Sequence, residues 1–220
     1  MRFNITDNII VRALSKICDM VCLNILWLIC SIPIITIGAS TAALYTVMLK
    51  MVKNEEGYIF RGFFKAFKSN FKQSTIMWIV ILLLGIVCWI DYRVAGVMPG
   101  MGGSIMRIIF LLLGFILLSV TIYIFPLTAR YENTIRNTVR NALILTVGKL
   151  PYTLLMVVVT VGSLIISLWN SMTLMFAIPL WFIIGVSLIA WINSYILRRV
   201  FMIFDSVENG TNDENTQEEG

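Results

Sequence analysis

Histidine is absent from the 220 residues of this chain. Its absence excludes catalytic triads that contain histidine, histidine general bases and histidine metal ligands. Charge is also scarce, because Asp, Glu, Lys and Arg make up only 13% of the residues, about half the share found in soluble domains. Hydrophobic residues make up 59%, and the mean hydropathy is +0.88. A soluble fold of this size has too little interior to bury so much apolar surface.

Cysteine is limited to four residues, all in or beside apolar segments: Cys18, Cys22, Cys30 and Cys88. Cys18 and Cys22 share a helical face at a spacing of four, which is compatible with metal or redox chemistry. No other ligand type accompanies them. We therefore interpret all four as small apolar packing residues, and the sequence predicts neither a metal site nor a cofactor site.

Four stretches of the chain carry no charged residue: 20–49, 73–90, 108–129 and 150–197. A helix needs about 20 mostly apolar residues to cross a bilayer. A charged residue at the centre of such a helix costs about 2.5–3.5 kcal/mol, so charge-free stretches of this length are typical of spanning helices. The sequence predicts an all-α, polytopic transmembrane helical bundle.

Two of these stretches are long enough to hold two helices each. We divide the last one at Ser167–Thr173, its only polar interruption. We divide the first one around Pro33–Gly38, because proline disfavours helix in the residue before it and glycine adopts backbone conformations that other residues avoid. This first hairpin either spans the membrane or is re-entrant. The six predicted membrane segments are 8–32, 38–53, 73–92, 105–129, 150–169 and 173–200.

The predicted membrane domain covers residues 1–204 and is followed by an acidic tail, 205–220. The tail holds six acidic residues and no basic residue, a composition that cannot bury a core, so we predict that it is disordered. With six segments, 15 Lys and Arg residues fall on one side of the membrane and two on the other, whereas five segments would divide them 12 to five. The positive-inside rule therefore favours six segments with both termini in the cytoplasm.

The segment 58–72 has the pattern of an amphipathic helix before the third predicted span. Its basic stripe, as we name it, is Arg61, Lys65, Lys68 and Lys72. A second stripe is aromatic: Phe60, Phe63, Phe64, Phe67 and Phe71. Such a helix can lie in the headgroup plane with its phenylalanines towards the acyl chains and its basic residues towards anionic lipid. It is either an anchor for the next span, which we favour, or a docking site for a cytoplasmic partner. Nucleic acid is not a predicted ligand, since this basic surface adjoins the membrane.

The segment 130–149 predicts a second amphipathic cytoplasmic helix. Two parallel rows repeat every four residues, one of Glu132, Arg136 and Arg140, and one of Asn133, Asn137 and Asn141. The predicted apolar face opposite them is Ile135, Val139, Ala142 and Leu143. The polar rows form either an interface or a solvated surface.

Several sequence blocks resemble the YesL-like family, bacterial membrane proteins of unknown function. The resemblance rests on LNILWLICSIPIITIGASTAALY at 23–45, GYIFRGFFKAFKSNFKQ at 57–73, WIDY at 89–92 and FPLTARYENT at 125–134. Members of this family are often encoded near carbohydrate importers and their regulators, so the resemblance implies a supporting role in sugar uptake or sensing. It implies no catalytic residues.

The function that we expect is that of a non-enzymatic accessory or regulatory component associated with a sugar importer or sensor complex. The expectation rests on two amphipathic segments on one side of the membrane and on the lack of a catalytic residue pattern in the sequence. A small transporter or permease subunit is the alternative. An enzyme would need acidic or cysteine residues that converge on a membrane pocket, and the sequence predicts no such cluster.

Overall fold

The computed structural model describes residues 9–55 and 57–218, with side chains from 11 to 202 apart from residue 56. Every regular element within those residues is helical, which confirms the predicted all-α bundle. The eight α-helices are α1 (Ile9–Ser31), α2 (Ile37–Val52), α3 (Ile59–Ala95), α4 (Met101–Arg130), α5 (Ile135–Gly148), α6 (Leu150–Leu168), α7 (Ser171–Leu180) and α8 (Val186–Glu218). A 3₁₀ turn at Ile34–Thr36 precedes α2, and a π turn at Trp181–Gly185 joins α7 to α8.

Six stretches of helix are long and apolar enough to cross a membrane: Val11–Ser31, Ile34–Val52, Ile59–Ala95, Met101–Arg130, Leu150–Leu168 and Ser171–Met202. These correspond to the six predicted segments. The largest difference is at the third, which begins at Ile59 and not near 73. No proline lies between 59 and 95, so the amphipathic and the apolar parts continue as one 37-residue helix.

Helix α2 is the centre of the bundle and packs against α1, α3, α4 and α8. Small residues near its beginning allow this close approach. A Cβ atom on Gly38 would lie only 2.5 Å from the carbonyl oxygen of Ser74 and 2.6 Å from the Cβ of Trp78. Glycine is therefore the residue that fits where α2 crosses α3.

In the turn between α1 and α2, Thr36 supplies hydrogen-bond partners to backbone carbonyls of the turn. The Thr36 hydroxyl contacts the carbonyls of Cys30 at 2.6 Å and Pro33 at 2.7 Å, and the Thr36 backbone N–H also donates to Pro33 O. The indole N–H of Trp78 on α3 donates to Ile34 O at 2.8 Å. Because α3 continues to Ala95, it extends about 25 Å beyond this contact at 1.5 Å per residue. The first hairpin therefore ends beside the middle of α3.

A buried amide holds the π turn between α7 and α8. Pro179 lies two residues before the turn and lacks the N–H group of a regular helical hydrogen bond. The Asn24 side chain of α1 is fully buried and donates to Trp181 O at 3.0 Å and to Phe182 O at 2.7 Å. Its oxygen accepts a bond from the Ser187 backbone N–H at 3.1 Å. A single side chain thus supplies partners to three backbone groups around the irregular turn.

Helices α3 and α4 form a hairpin, and few other helices pack against the half that is nearer to its connection at 96–100. Its connection is closed by a bond from Arg107 Nη2 to Gly96 O at 2.8 Å. An apolar groove of about 650 Å³ lies between α3, α4 and Thr160 of α6. Most side chains in this half are exposed in the isolated chain, as expected of surface that faces lipid.

The predicted disordered tail begins at 205, whereas helix α8 continues to Glu218. Side chains beyond Met202 lie outside the described residues. The predicted division of the chain at residue 204 stays a prediction.

Candidate functional site

One end of the bundle carries a polar cleft, built where α2, α4 and α8 approach the beginning of α3. We call this the basic end. Three adjoining cavities of about 170, 300 and 240 Å³ make up the cleft, and all three are lined by Thr46 and Lys50 of α2. Gly62 of α3 lines two of them, and its lack of a side chain widens the gap between α2 and α3.

The lining of the cleft has an excess of positive charge. Among the described residues that line it, the basic ones are Lys50, Lys53, Arg61, Lys65, Arg130 and Arg198, and the acidic ones are Glu55 and Glu132. Like charges this close to one another repel, and the repulsion is stronger beside apolar protein than in bulk water. The cleft is therefore suited to anions.

Two local features fix the walls of the cleft. Asn54 follows α2 with a φ of 57°, a left-handed conformation in which asparagine is common, and its side-chain oxygen accepts a bond from Lys16 Nζ at 2.6 Å. On the other side, the Arg130 guanidinium lies 5.3 Å from the ring centre of Tyr131 and 4.9 Å from that of Phe201. These stacking contacts hold the end of α4 against α8.

The predicted amphipathic segment 58–72 is the beginning of α3 and not a separate helix. Because 59–95 is one uninterrupted helix, this segment and the third span share a single helix axis, and the orientation in the headgroup plane stays a prediction. Arg61 and Lys65 border the cleft, while Lys68 and Lys72 are exposed outside it.

The aromatic stripe divides in a similar way. Phe63 is fully buried, Phe67 is half-buried and stacks on it with ring centres 6.3 Å apart, and Phe60, Phe64 and Phe71 are exposed. Part of this stripe therefore belongs to the protein core, because α2 packs along α3 at this level.

The second predicted cytoplasmic helix is shorter than expected. Helix α5 begins at Ile135 after Thr134, so Glu132 and Asn133, the first members of the two predicted rows, precede the helix. Arg136, Asn137 and Arg140 are exposed on α5, and Asn141 is half-buried.

The predicted apolar face of α5 coincides only in part with its buried face. Ala142 is buried and Val139 half-buried, whereas Ile135 and Leu143 are exposed, and the other buried residues are Thr138, Leu145 and Thr146. The Thr138 and Thr146 hydroxyls contact the helix's own carbonyls at Thr134 and Ala142. Because these bonds satisfy the hydroxyl groups, a helix face rich in threonine can pack inward.

Hydrogen bonds join these two segments, which are distant in sequence. The Gln73 amide of α3 donates to Asn133 O at 2.8 Å and contacts the Thr138 hydroxyl at 3.4 Å. Deeper in the bundle, the Tyr123 hydroxyl of α4 lies 3.1 Å from the Thr153 hydroxyl of α6, which also contacts Thr146 O at 3.1 Å. Helix α5 is thereby tied to α3, α4 and α6.

The contributions of several residues to these sites are not predicted from the sequence. In the sequence, Lys50 and Arg198 are simply the charges that end two apolar stretches, and Lys53 belongs to no pattern. Asn24 carries a detectable signal, because it is the one amide residue within 20–49, yet its partners 157 to 163 residues away are visible only in the fold. Among the residues that the structure describes, no three His, Cys, Asp or Glu side chains come together as metal ligands would.

Part of the cleft lies within residues that match a known family model. Residues 20–92 match a family model described as a protein of unknown function, DUF624. The chain is 31% identical over 144 residues to the uncharacterized protein YteU of Bacillus subtilis (strain 168), covering 63% of this chain and 64% of YteU. It is 27% identical over 158 residues to the uncharacterized protein YesL of the same organism, covering 70% of this chain and 74% of YesL. The resemblance to the YesL-like family is confirmed.

The match to the family model includes most of α1, all of α2 and nearly all of α3. It therefore contains Lys50 and Lys65 of the cleft, the basic stripe and Gln73. The chain spans just under two thirds of the length of YteU. No solved structure matches this chain at a significant level.

Proposed function

We propose that this chain is a non-enzymatic accessory or regulatory membrane protein that works with a carbohydrate-uptake or carbohydrate-sensing complex. In this proposal the protein lies in the bacterial plasma membrane with its basic end and both termini in the cytoplasm. The charge distribution supports the orientation, because 15 of the 17 Lys and Arg residues fall on the predicted inner side. The link to carbohydrate uptake rests on the YesL-like resemblance alone.

The bond from Gln73 to Asn133 O is the observation that carries the proposal. It joins the exposed end of the basic stripe to the beginning of α5. Together they form one surface, which we call the docking surface: Lys68, Lys72, Arg136, Asn137 and Arg140. All five side chains are exposed.

A surface with four positive charges and no acidic member attracts and orients a partner with an acidic surface. Because α5 is held by hydrogen bonds on both sides, the surface is ordered before a partner binds. Pre-ordering lowers the entropy cost of association.

Quantitative co-purification from membranes at native expression tests this proposal. We expect the variants K68E/K72E and R136E/R140E each to reduce the recovery of an importer or sensor component by about tenfold or more, because reversed charges repel an acidic partner. The variant Q73A removes no charge and should also reduce recovery, since it releases α5 from α3.

The matched control is R12E/R199E, which reverses two exposed basic residues, on α1 and α8, that belong neither to the docking surface nor to the lining of the cleft. Its recovery of the same component should equal that of the wild type. The same partners at the same yield from all variants would contradict the proposal. Solute flux through vesicles that contain only this protein would instead support a permease.

A further inference from the structure

We propose that the cleft at the basic end binds the phosphate group of an anionic ligand between Lys50 and Lys65. The two lysines come from different helices, α2 and α3, and both line the cavities of about 300 and 240 Å³. This site is distinct from the docking surface, and it does not depend on the identity of any protein partner.

Among the residues that the structure describes, neither ammonium group has a counter-ion. Lys50 and Lys65 form no ion pair and no side-chain hydrogen bond with them, although both lysines share one cavity with Glu55 and another with Glu132. Two unneutralised cations that face the same space repel each other, and an anion between them replaces this repulsion with attraction to both. The two lysines are thus better explained as the protein's part of an anion-binding site than as a contact that stabilises the fold.

Neutral donors complete the lining. The Ser69 hydroxyl and the Asn70 amide line the same 240 Å³ cavity as the two lysines, and neither side chain has a hydrogen-bond partner in the part of the chain that the structure describes. Thr46 is different, because its hydroxyl already donates to Ala42 O at 2.9 Å. Two ammonium groups, a hydroxyl and an amide suit the several acceptor oxygens of a phosphate.

The two acidic residues do not cancel this preference. Glu55 and Glu132 are exposed, as are Lys50 and Lys65, so solvent screens all four charges and the balance of the described lining decides its sign. The lining as a whole contains six basic residues against these two.

The phosphate has two sources, a lipid headgroup and a soluble phosphate compound. The cleft lies at the ends of α2 and α4, where the apolar parts of these helices stop, so a headgroup can reach it laterally and a solute can reach it from the aqueous side. Both sources offer the same chemistry to Lys50 and Lys65.

Binding measurements on the full chain in nanodiscs of zwitterionic lipid test the site. One arm titrates inorganic phosphate by calorimetry, and the other measures retention of phosphatidylglycerol by native mass spectrometry. We expect K50Q/K65Q to weaken whichever probe binds by about tenfold or more, because two charge-assisted hydrogen bonds are lost. K50R/K65R should retain binding, since it keeps both charges.

The control is K68Q/K72Q, which removes two charges from the same helix face outside the cleft. We expect it to change affinity by less than about twofold, because exposed charges beyond the cleft are screened. Binding of phosphate alone would identify a soluble ligand, and binding of phosphatidylglycerol alone would identify a lipid. Binding of neither probe by the folded wild type, or equal loss in both double variants, would overturn the proposal.

Discussion

The Asn24 side chain shows how one polar residue can stabilise an irregular helix inside an apolar bundle. It contacts two carbonyls and one N–H around the π turn. Because Asn24 is fully buried, water does not replace these bonds when the side chain is removed. Asn24 interrupts an apolar stretch of the sequence, and this interruption stabilises the fold.

We predict that N24A lowers the free energy of unfolding by about 1–3 kcal/mol, the usual cost of leaving buried polar groups unsatisfied. The readout is the thermal melting temperature in detergent. N137A provides the control, because Asn137 is exposed on α5 and should melt like the wild type. Equal melting temperatures for N24A and the wild type would show that the π turn needs no such support.

Two glycines provide a matched test of helix packing. G38A places a methyl group where Ser74 O and Trp78 leave no room, so we expect destabilisation of about 1–3 kcal/mol from overpacking. G162A lies in the interior of α6 with no atom within 4 Å of the added Cβ. It should be neutral or stabilising by up to about 1 kcal/mol, because alanine favours helix. Thermal unfolding of both variants in the same detergent measures the difference, and similar losses in both would contradict the packing at α2.

At the scale of elements, the sequence predicts the existence of helices better than their ends and faces. Long charge-free stretches predict all six spans, and the polar turn before Ser171 is located within a few residues. Charge patterns do not reveal that 58–72 continues into the third span, since helical periodicity is the same on both sides of Lys72. Of the predicted apolar face of α5 only Ala142 is fully buried, because Thr138 and Thr146, whose hydroxyls bond to backbone carbonyls one turn earlier, take inward positions as well.

The depth of the first hairpin is a prediction at the same scale. Its turn contacts Trp78, and α3 continues well beyond that point. We therefore expect Ile35 to lie within lipid and not in the aqueous layer that surrounds Val97. In a variant without the four native cysteines, a membrane-impermeant maleimide should label V97C from one side and leave I35C unlabelled from either side. Labelling of both positions from the same side would show that the hairpin spans the membrane.

At the scale of the molecule, the fold brings together residues that sequence separates. The basic stripe and α5 were two independent candidates, and Gln73 makes them neighbours. The cleft could not be predicted, because Lys50, Lys65 and Arg198 lie on three helices whose packing depends on Gly38, Gly62 and the π turn. Sequence patterns indicate which residues share a face of one helix, whereas the cleft depends on how several helices pack against one another.

The most direct test of the account is the sidedness of the basic end. Single-cysteine variants N137C and V97C, both in the background without native cysteines, would be treated with the impermeant maleimide in intact cells and in inverted membrane vesicles. We expect N137C to react only in the inverted vesicles and V97C only in intact cells. Reaction of N137C from outside the cell would contradict the proposed orientation and, with it, docking of a cytoplasmic partner.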